Sequence, residues 1–354
     1  MIGEVSTSDN HSAQAAGLHA NGPEARLRTM DEALGEAVAA AYRLGPIRTC
    51  VRLDRVSSSV ARVETAERAY WLKLVTRVQC GLDELESEAE VASELAELGL
   101  RIAPAVRRRD GRYAGMLALQ DGAVPALLFD EAPGRHVEAP SPAQAEALGA
   151  LLGRFHAAAV RAADRRSRID VDVLGGAPLR AVEAWLQRAG GDAAREAARS
   201  CAELAKLAAE MVAIAWSDGA SLPIGLCHGD LQLENVRFDG ARPTLFDLER
   251  CGTGPRAYDL ACYWRLRIGL APADAEQRRA EWDALLRGYE QTRALAPSER
   301  QAIPALATLR AMWVMALPAA PGTTWGQDWL LDPEYIDAHV AMIERLARVA
   351  RCAG

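Results

Sequence analysis

Two periodicities divide this chain, and their order constrains the fold more than any single residue does. From Arg48 the segment CVRLDRVSSSVARVETAERAYWLKLV alternates, is rich in β-branched side chains, and breaks at Ser57–Ser58–Ser59 and at Glu67–Arg68. That period of two predicts three antiparallel strands, with Lys73 inside the third. A helix to about Leu44 precedes them, opened by the capping-box spacing of Thr29 and Glu32. Another, DELESEAEVASELAEL over 83–98, follows, and short strand-like pieces then end in ALLFDEAPGR at 126–135. Beyond this point helical periodicity takes over. Ser141–Pro142 is an N-cap and N1 pair for a helix to about His156, and further helices are expected over roughly 178–190, 192–217, 257–269, 274–292, 298–316 and 333–350. Among them, VRFDGARPTLFDLE reads as two short strands around an Asp239–Gly240 turn.

Strands first and helices afterwards predict an α+β fold of two lobes. Residues 29–131 form a small antiparallel-sheet lobe with one helix, and residues 132–354 a larger, mostly helical lobe. The break falls at Ala132–Pro133–Gly134, and residues 1–28, polar and without period, are expected to be a flexible tail. The 50% hydrophobic content is ample for a core in a chain of 354 residues. A formal net charge of −7 argues against a nucleic-acid partner and is compatible with a cationic substrate. None of the seven cysteines has C-x-x-C spacing, so neither a zinc site nor a dithiol redox motif is supported. The first residues carry no basic, apolar leader pattern, and no apolar run approaches the roughly 20 residues that cross a bilayer. The expectation is a cytoplasmic protein with no membrane partner.

Chemistry concentrates in GLCHGDLQLENVRFDGARPTLFDLE, residues 225–249. H-G-D-x-x-x-x-N followed by a hairpin and F-D-L-E is the layout that phosphoryl transfer from a nucleotide requires. The reaction needs phosphate charge neutralised by metal and a carboxylate to orient the attacking hydroxyl. Asp230 suits the second task. Asn235, five residues on, can offer an amide oxygen to Mg²⁺, and Asp247, just past the hairpin, can offer a carboxylate. His228 suits a structural role, its ring bonding backbone to hold the loop. Glu249 reads as a second metal ligand, a group behind the ligands, or simply a polar residue.

At these residues the sequence resembles the aminoglycoside phosphotransferase and choline kinase-like family, relatives of the protein kinases. The resemblance continues through CGTGPRAYDLACYW (251–264) and LGRFHAA (152–158) and spans roughly residues 50–345. It implies a bilobal protein kinase-like fold, ATP and Mg²⁺ as cofactors, and a catalytic loop braced by Asp259. It also implies a phosphate-binding Lys in the small lobe, held by a Glu. Lys73, flanked by apolar residues, is the candidate. On the following helix, about 100° per residue puts Glu88 in the middle of the apolar face with Leu85, Val91, Ala92 and Leu95, so a buried partner is expected; Glu84 is the runner-up. Ser57, Ser58 and Ser59 stand where the family covers the phosphates, without the kinase glycines, and adenine would lie against 127–134.

Three functions are compatible with this pattern. The first is an ATP- and Mg-dependent kinase for a hydroxyl of a small molecule, antibiotic or metabolite. A bacterial stress-response-type Ser/Thr protein kinase, whose late helix resembles ALATLRAMWVMAL (305–317), is the alternative. An inactive nucleotide-binding module is disfavoured by the full set of Lys73, Asp230, Asn235 and Asp247. The lack of an Ala-Pro-Glu segment after Asp247 favours a small molecule. Trp264, Trp282, Trp313, Trp325 and Trp329, with Asp328, Asp332, Glu334 and Asp337, are either core or a wall for a cationic or ring-bearing acceptor.

Overall fold

The computed structural model describes residues 31–54, 59–75, 81–120, 122–189, 191–216, 222–270, 275–319 and 333–353. The expected tail at 1–28, Thr29, Ser57 and Ser58 lie outside them. The first helix, α1 (Glu32–Ala41), opens on Asp31, whose carboxylate accepts the Leu34 N–H at 2.9 Å. The Thr29–Glu32 box is therefore not the start. Glu32 occupies the first helical position, not the third, and an Asp one residue earlier satisfies the free N–H.

Five strands, β1 (Ile47–Asp54), β2 (Ser59–Thr65), β3 (Ala69–Leu74), β4 (Gly115–Leu119) and β5 (Gly122–Asp130), form an antiparallel sheet in the order β1-β2-β3-β5-β4. Alternation assigns its faces. Cys50, Ala61, Val63, Leu72 and Leu74 pack with Leu34 and Val38 of α1. Lys73 points to the other face, where α2 (Leu82–Glu97) presents Glu88 among its buried residues. The sheet lobe thus carries a helix on each face, at the two places where the sequence predicts helices.

The rest is mostly helical: α3 (Pro142–Ala157), α4 (Ala177–Ala189) and α5 (Gly191–Ala215) come first. Ser141 caps α3 through Gln144 as the Ser-Pro pair predicts. Next come β6 (Ile224–Cys227), the β7–β8 hairpin (Val236–Asp239 and Arg242–Leu245) and β9 (Gly252–Pro255). β9 pairs with β6, a pairing that Gly-Thr-Gly-Pro does not advertise. The chain ends with α6 (Ala257–Trp264), a π-turn at Arg265–Gly269, α7 (Ala275–Glu290), α8 (Pro297–Ala316) and α9 (Pro333–Ala353). Residues Pro297–Ala319 are long and apolar enough to cross a membrane, yet 78% of the most apolar 18-residue window of that stretch is buried within the molecule. It is the central core helix, surrounded by α4, α5, α6 and α9.

Candidate active site

The loop after β6 is held from below by one buried carboxylate. Asp259, on the first turn of α6, accepts the backbone N–H groups of His228 at 2.6 Å and Gly229 at 2.8 Å. Its third partner is His156 Nε2 of α3, at 2.9 Å, and Tyr289 Oη lies 2.8 Å from His156 Nδ1. Burial holds the His156 imidazole below its ordinary pKa, as a neutral ring. Burial alone would raise the Asp259 carboxyl, but the hydrogen bonds it accepts from His156 and from the His228 backbone hold it below the ordinary carboxylate value. Gly229 is required at its position: φ is +80°, and a Cβ would stand 2.0 Å from the Arg250 carbonyl oxygen.

His228 Nε2 lies 3.1 Å from the Phe246 carbonyl oxygen, so the ring ties the loop to the residue before Asp247. Asn235 Nδ2 donates to the Asp230 carbonyl oxygen at 2.9 Å, leaving the Asn235 amide oxygen as the atom available to a cation. The Phe246 N–H donates to the Asn235 carbonyl oxygen at 3.2 Å, so Asn235 and Asp247 flank the open end of the hairpin. Asp247 is half-exposed and has φ 63°, the one positive φ at a non-glycine among the described residues. Strained backbone of this kind clusters at functional sites.

Lys73 and Glu88 meet as the helical periodicity predicts. Lys73 Nζ is 3.0 and 3.1 Å from the two Glu88 carboxylate oxygens, while Glu84 is exposed. Nζ is also 3.0 Å from Glu249 Oε2 and 3.8 Å from Asp247 Oδ1. Burial would lower the ammonium pKa, but Glu249, Glu88 and Asp247 together raise it. Glu249 is therefore a direct partner of Lys73. Oxygen donors from Asn235, Asp247 and Glu249 suit a hard divalent cation, and Lys73 suits a phosphate oxygen. Ser59 begins β2, its backbone opposite Leu74 and Asp54.

Two arginines complete the site without having been expected. Arg310, buried on α8, donates through Nη2 to Asp230 Oδ1 at 2.5 Å and through Nη1 to Tyr258 Oη at 3.2 Å. Its signal was a single charge inside the apolar run ALATLRAMWVMAL. Arg166, also buried, donates to the carbonyl oxygens of Glu249 at 2.6 Å, Cys251 at 3.1 Å and Glu84 at 2.9 Å. It fixes the segment after Asp247 to the helix that carries Glu88. In the sequence it is one of several arginines in RAADRRSRID, with nothing to distinguish it.

The tryptophans divide. Trp264 is buried, and Trp282 stacks on Tyr263. Trp313 adjoins the site, with the Arg310 and Arg250 guanidinium carbons 4.2 and 4.9 Å from its ring centre. Glu334 and Asp337 are exposed at the start of α9, and Trp325, Trp329, Asp328 and Asp332 lie outside the described residues.

Comparison with known proteins bears on the family and the fold. The model of the phosphotransferase enzyme family matches residues 49–295. A homoserine kinase of Pseudomonas aeruginosa (strain UCBPP-PA14) is 30% identical over 311 residues, which are 86% of this chain and 92% of that one. Among solved structures, an amicoumacin kinase in complex with AMP-PNP, Ca²⁺ and Ami superposes with a TM-score of 0.68 at 19% identity, covering 89% of this chain and 93% of its own. A microcompartment-associated aminopropanol kinase gives 0.66 at 19% identity, covering 90% and 98%. These two likenesses establish the kinase-like fold.

Proposed function

Because this chain belongs to the phosphotransferase enzyme family and is a kinase for a hydroxyl group of a small molecule, we propose that it transfers the γ-phosphoryl group of ATP, with Mg²⁺, to a hydroxy amino acid such as homoserine. The observation that carries this reading is the convergence of Lys73, Glu88, Asp247 and Glu249 at one end of the hairpin with the Asp230–Asn235 loop at the same end. The homoserine kinase relative, aligned over nearly its whole length, supports the acceptor class. The amicoumacin kinase and the aminopropanol kinase each share the fold at 19% identity, against 30% for the homoserine kinase, so the hydroxy amino acid is the acceptor class that the greater likeness favours.

In this reading the acceptor oxygen attacks the γ-phosphorus, the bond to the ADP oxygen breaks, and Asp230 takes the hydroxyl proton. Arg310 holds the Asp230 carboxylate in one orientation, and Asn235 closes the loop beneath it. Lys73, fixed by Glu88, contacts the nucleotide phosphates. Mg²⁺, held by Asn235 and Asp247 with Glu249 near, would neutralise phosphate charge. His228 and Asp259 are positioning residues. The two lobes at 29–131 and 132–354 are proposed as nucleotide-binding and acceptor-binding units, and dependence on ATP fits a cytoplasmic location.

The test is ADP release with Mg·ATP and L-homoserine, comparing the native chain with Asp230→Asn. Homoserine-dependent turnover should fall about 10²–10⁴-fold in the variant, while calorimetry finds Mg·ATP affinity nearly intact. Undiminished turnover removes Asp230 as the proton acceptor. Label from γ-labelled ATP entering the protein fraction of a cell extract, and not the small-molecule fraction, would favour the protein-kinase alternative.

A further inference from the structure

Three arginines are buried among the described residues: Arg166, Arg265 and Arg310. Arg166 and Arg310 are saturated with carbonyl, carboxylate and hydroxyl acceptors. Arg265 differs. It is 6% exposed, its side chain has no hydrogen bond or ion pair among the described residues, and its Nε is buried without a partner. An unpaired buried cation is among the costlier features a fold can keep, and it persists where something else supplies the counter-charge.

Its position says what that is. Tyr258, Cys262 and Arg265 follow one another at i, i+4 and i+7 and share a face of α6 as it runs into the π-turn. Tyr258 on that face accepts a hydrogen bond from Arg310, and the same guanidinium pairs with Asp230. Arg265 therefore shares the helix face on which Arg310 meets Tyr258 and Asp230, near enough to Asp230 to feel its charge. From α9, the buried His339, whose Nδ1 is 2.8 Å from the Tyr335 carbonyl oxygen, is close enough to feel the same charge. Burial, then the nearby Arg310 charge, pulls the Arg265 guanidinium down to about 10. Arg250 adds a third guanidinium beside Trp313. Arg310 is matched by Asp230 and Arg250 by Glu249, so of the three guanidinium groups on this flank Arg265 is the one with no carboxylate partner among the described residues.

We infer that Arg265 is the counter-charge for a carboxylate of the acceptor, bound beside the hydroxyl that Asp230 orients, so that the substrates are hydroxy acids and hydroxy amino acids. The inference rests on the phosphotransferase reading of Asp230 and deepens it. A guanidinium fork matches a carboxylate in two parallel hydrogen bonds, which an amide or an amine in the same place does not reproduce.

The experiment uses the full chain and matched pairs: L-homoserine, L-serine, D-glycerate and 4-hydroxybutyrate, each beside its carboxamide. Turnover with Mg·ATP, and binding to Mg·ADP-loaded protein by calorimetry, are measured for the native chain, Arg265→Lys and Arg265→Gln. The native chain should prefer at least one acid over its amide by about 10–100-fold, the range of a charge-assisted hydrogen bond. Arg265→Gln should lose that preference through KM, and Arg265→Lys should keep part of it. The melting temperature separates binding from architecture, since removing an unpaired buried charge leaves it level or raises it, whereas losing a structural guanidinium lowers it. The inference is overturned if the native chain shows no preference for any acid in turnover or binding, or if Arg265→Gln discriminates as the native chain does. Efficient turnover of neutral or cationic alcohols alone would overturn it and leave the kinase reading standing. Failure to bind Mg·ATP, or an active Asp230→Asn, would instead sink the reading beneath it.

Discussion

At the scale of single residues, Asp247 shows how a site can hold stress that the fold does not need. Its left-handed backbone, φ 63°, is unfavourable for a side chain bearing a Cβ. Its carboxylate is half-exposed and lies 3.8 Å from Lys73, a separation that contributes little where water screens it. Replacing it with glycine relieves the backbone. Asp247→Gly should therefore raise stability by about 1 kcal/mol and abolish Mg²⁺-dependent nucleotide binding. Thermal melting and calorimetry on the same preparation check both halves. A destabilised variant, or one that binds Mg·ATP normally, contradicts the assignment. Lys73 behaves differently: Glu88 holds it with both carboxylate oxygens, and Glu249 and Asp247 add to the negative charge around it. Glu249 is best understood as a group sharing the ammonium until nucleotide phosphates compete for it.

At the scale of elements, the catalytic loop owes its shape to the helices packed behind it. α3 supplies His156, α6 supplies Asp259 and α7 supplies Tyr289, joined by hydrogen bonds into one line. α3 and α7 can meet so closely because glycine faces backbone: a Cβ on Gly288 would lie 1.8 Å from the Glu146 carbonyl oxygen. Gly288→Ala should force the two helices apart and cost about 1–3 kcal/mol, in line with other overpacked interiors. The melting temperature should fall. Mg·ATP affinity below the transition should hardly change, because the hairpin and Lys73 lie elsewhere. An unchanged melting temperature would mean that the helices are not in backbone contact.

Across the whole molecule, the line from Tyr289 through His156 to Asp259 links the core to the loop and gives stability a pH dependence. His156 has a folded pKa below its unfolded value of about 6.5. Protons thus favour the unfolded chain, and stability falls as pH drops below that value. His339 is lowered by burial and acts in the same sense. Asp259 has a folded pKa below the unfolded value of about 3.9. Its contribution is present above that value and is lost as pH falls through the folded one. Lys73, raised, loses its share only at alkaline pH, above its unfolded value of about 10.4. The melting temperature should be level from about pH 7 to 8, decline below about 6.5, and drop more steeply below about 4. It should fall again above about 8.5, where the thiols of Cys50, Cys201, Cys227, Cys251 and Cys262, all raised by burial, ionise only in the unfolded chain. A melting temperature level down to pH 4.5 would contradict the neutral, buried His156.

Much of this protein was legible before folding was considered. Alternation in 48–75 and the 3.6-residue period after Ser141 reflect which side of an element meets the core, so they survive into the structure as strands and helices. Glu88 was legible for the same reason, since a carboxylate on an apolar helix face demands a partner. The Asp239–Gly240 signal set a hairpin that holds Asn235 and Asp247 at one end. What only tertiary structure decided is where distant segments meet. β9 joins β6 through backbone alone, which leaves no side-chain pattern to read. Arg166 and Arg310 take their roles from carbonyl and carboxylate groups roughly 80 positions away along the chain. Arg265 is meaningful only because burial strips it of water and no described residue pairs with it. Local periodicity encodes which face is buried; the identity of the neighbour across that face is a property of the packed molecule.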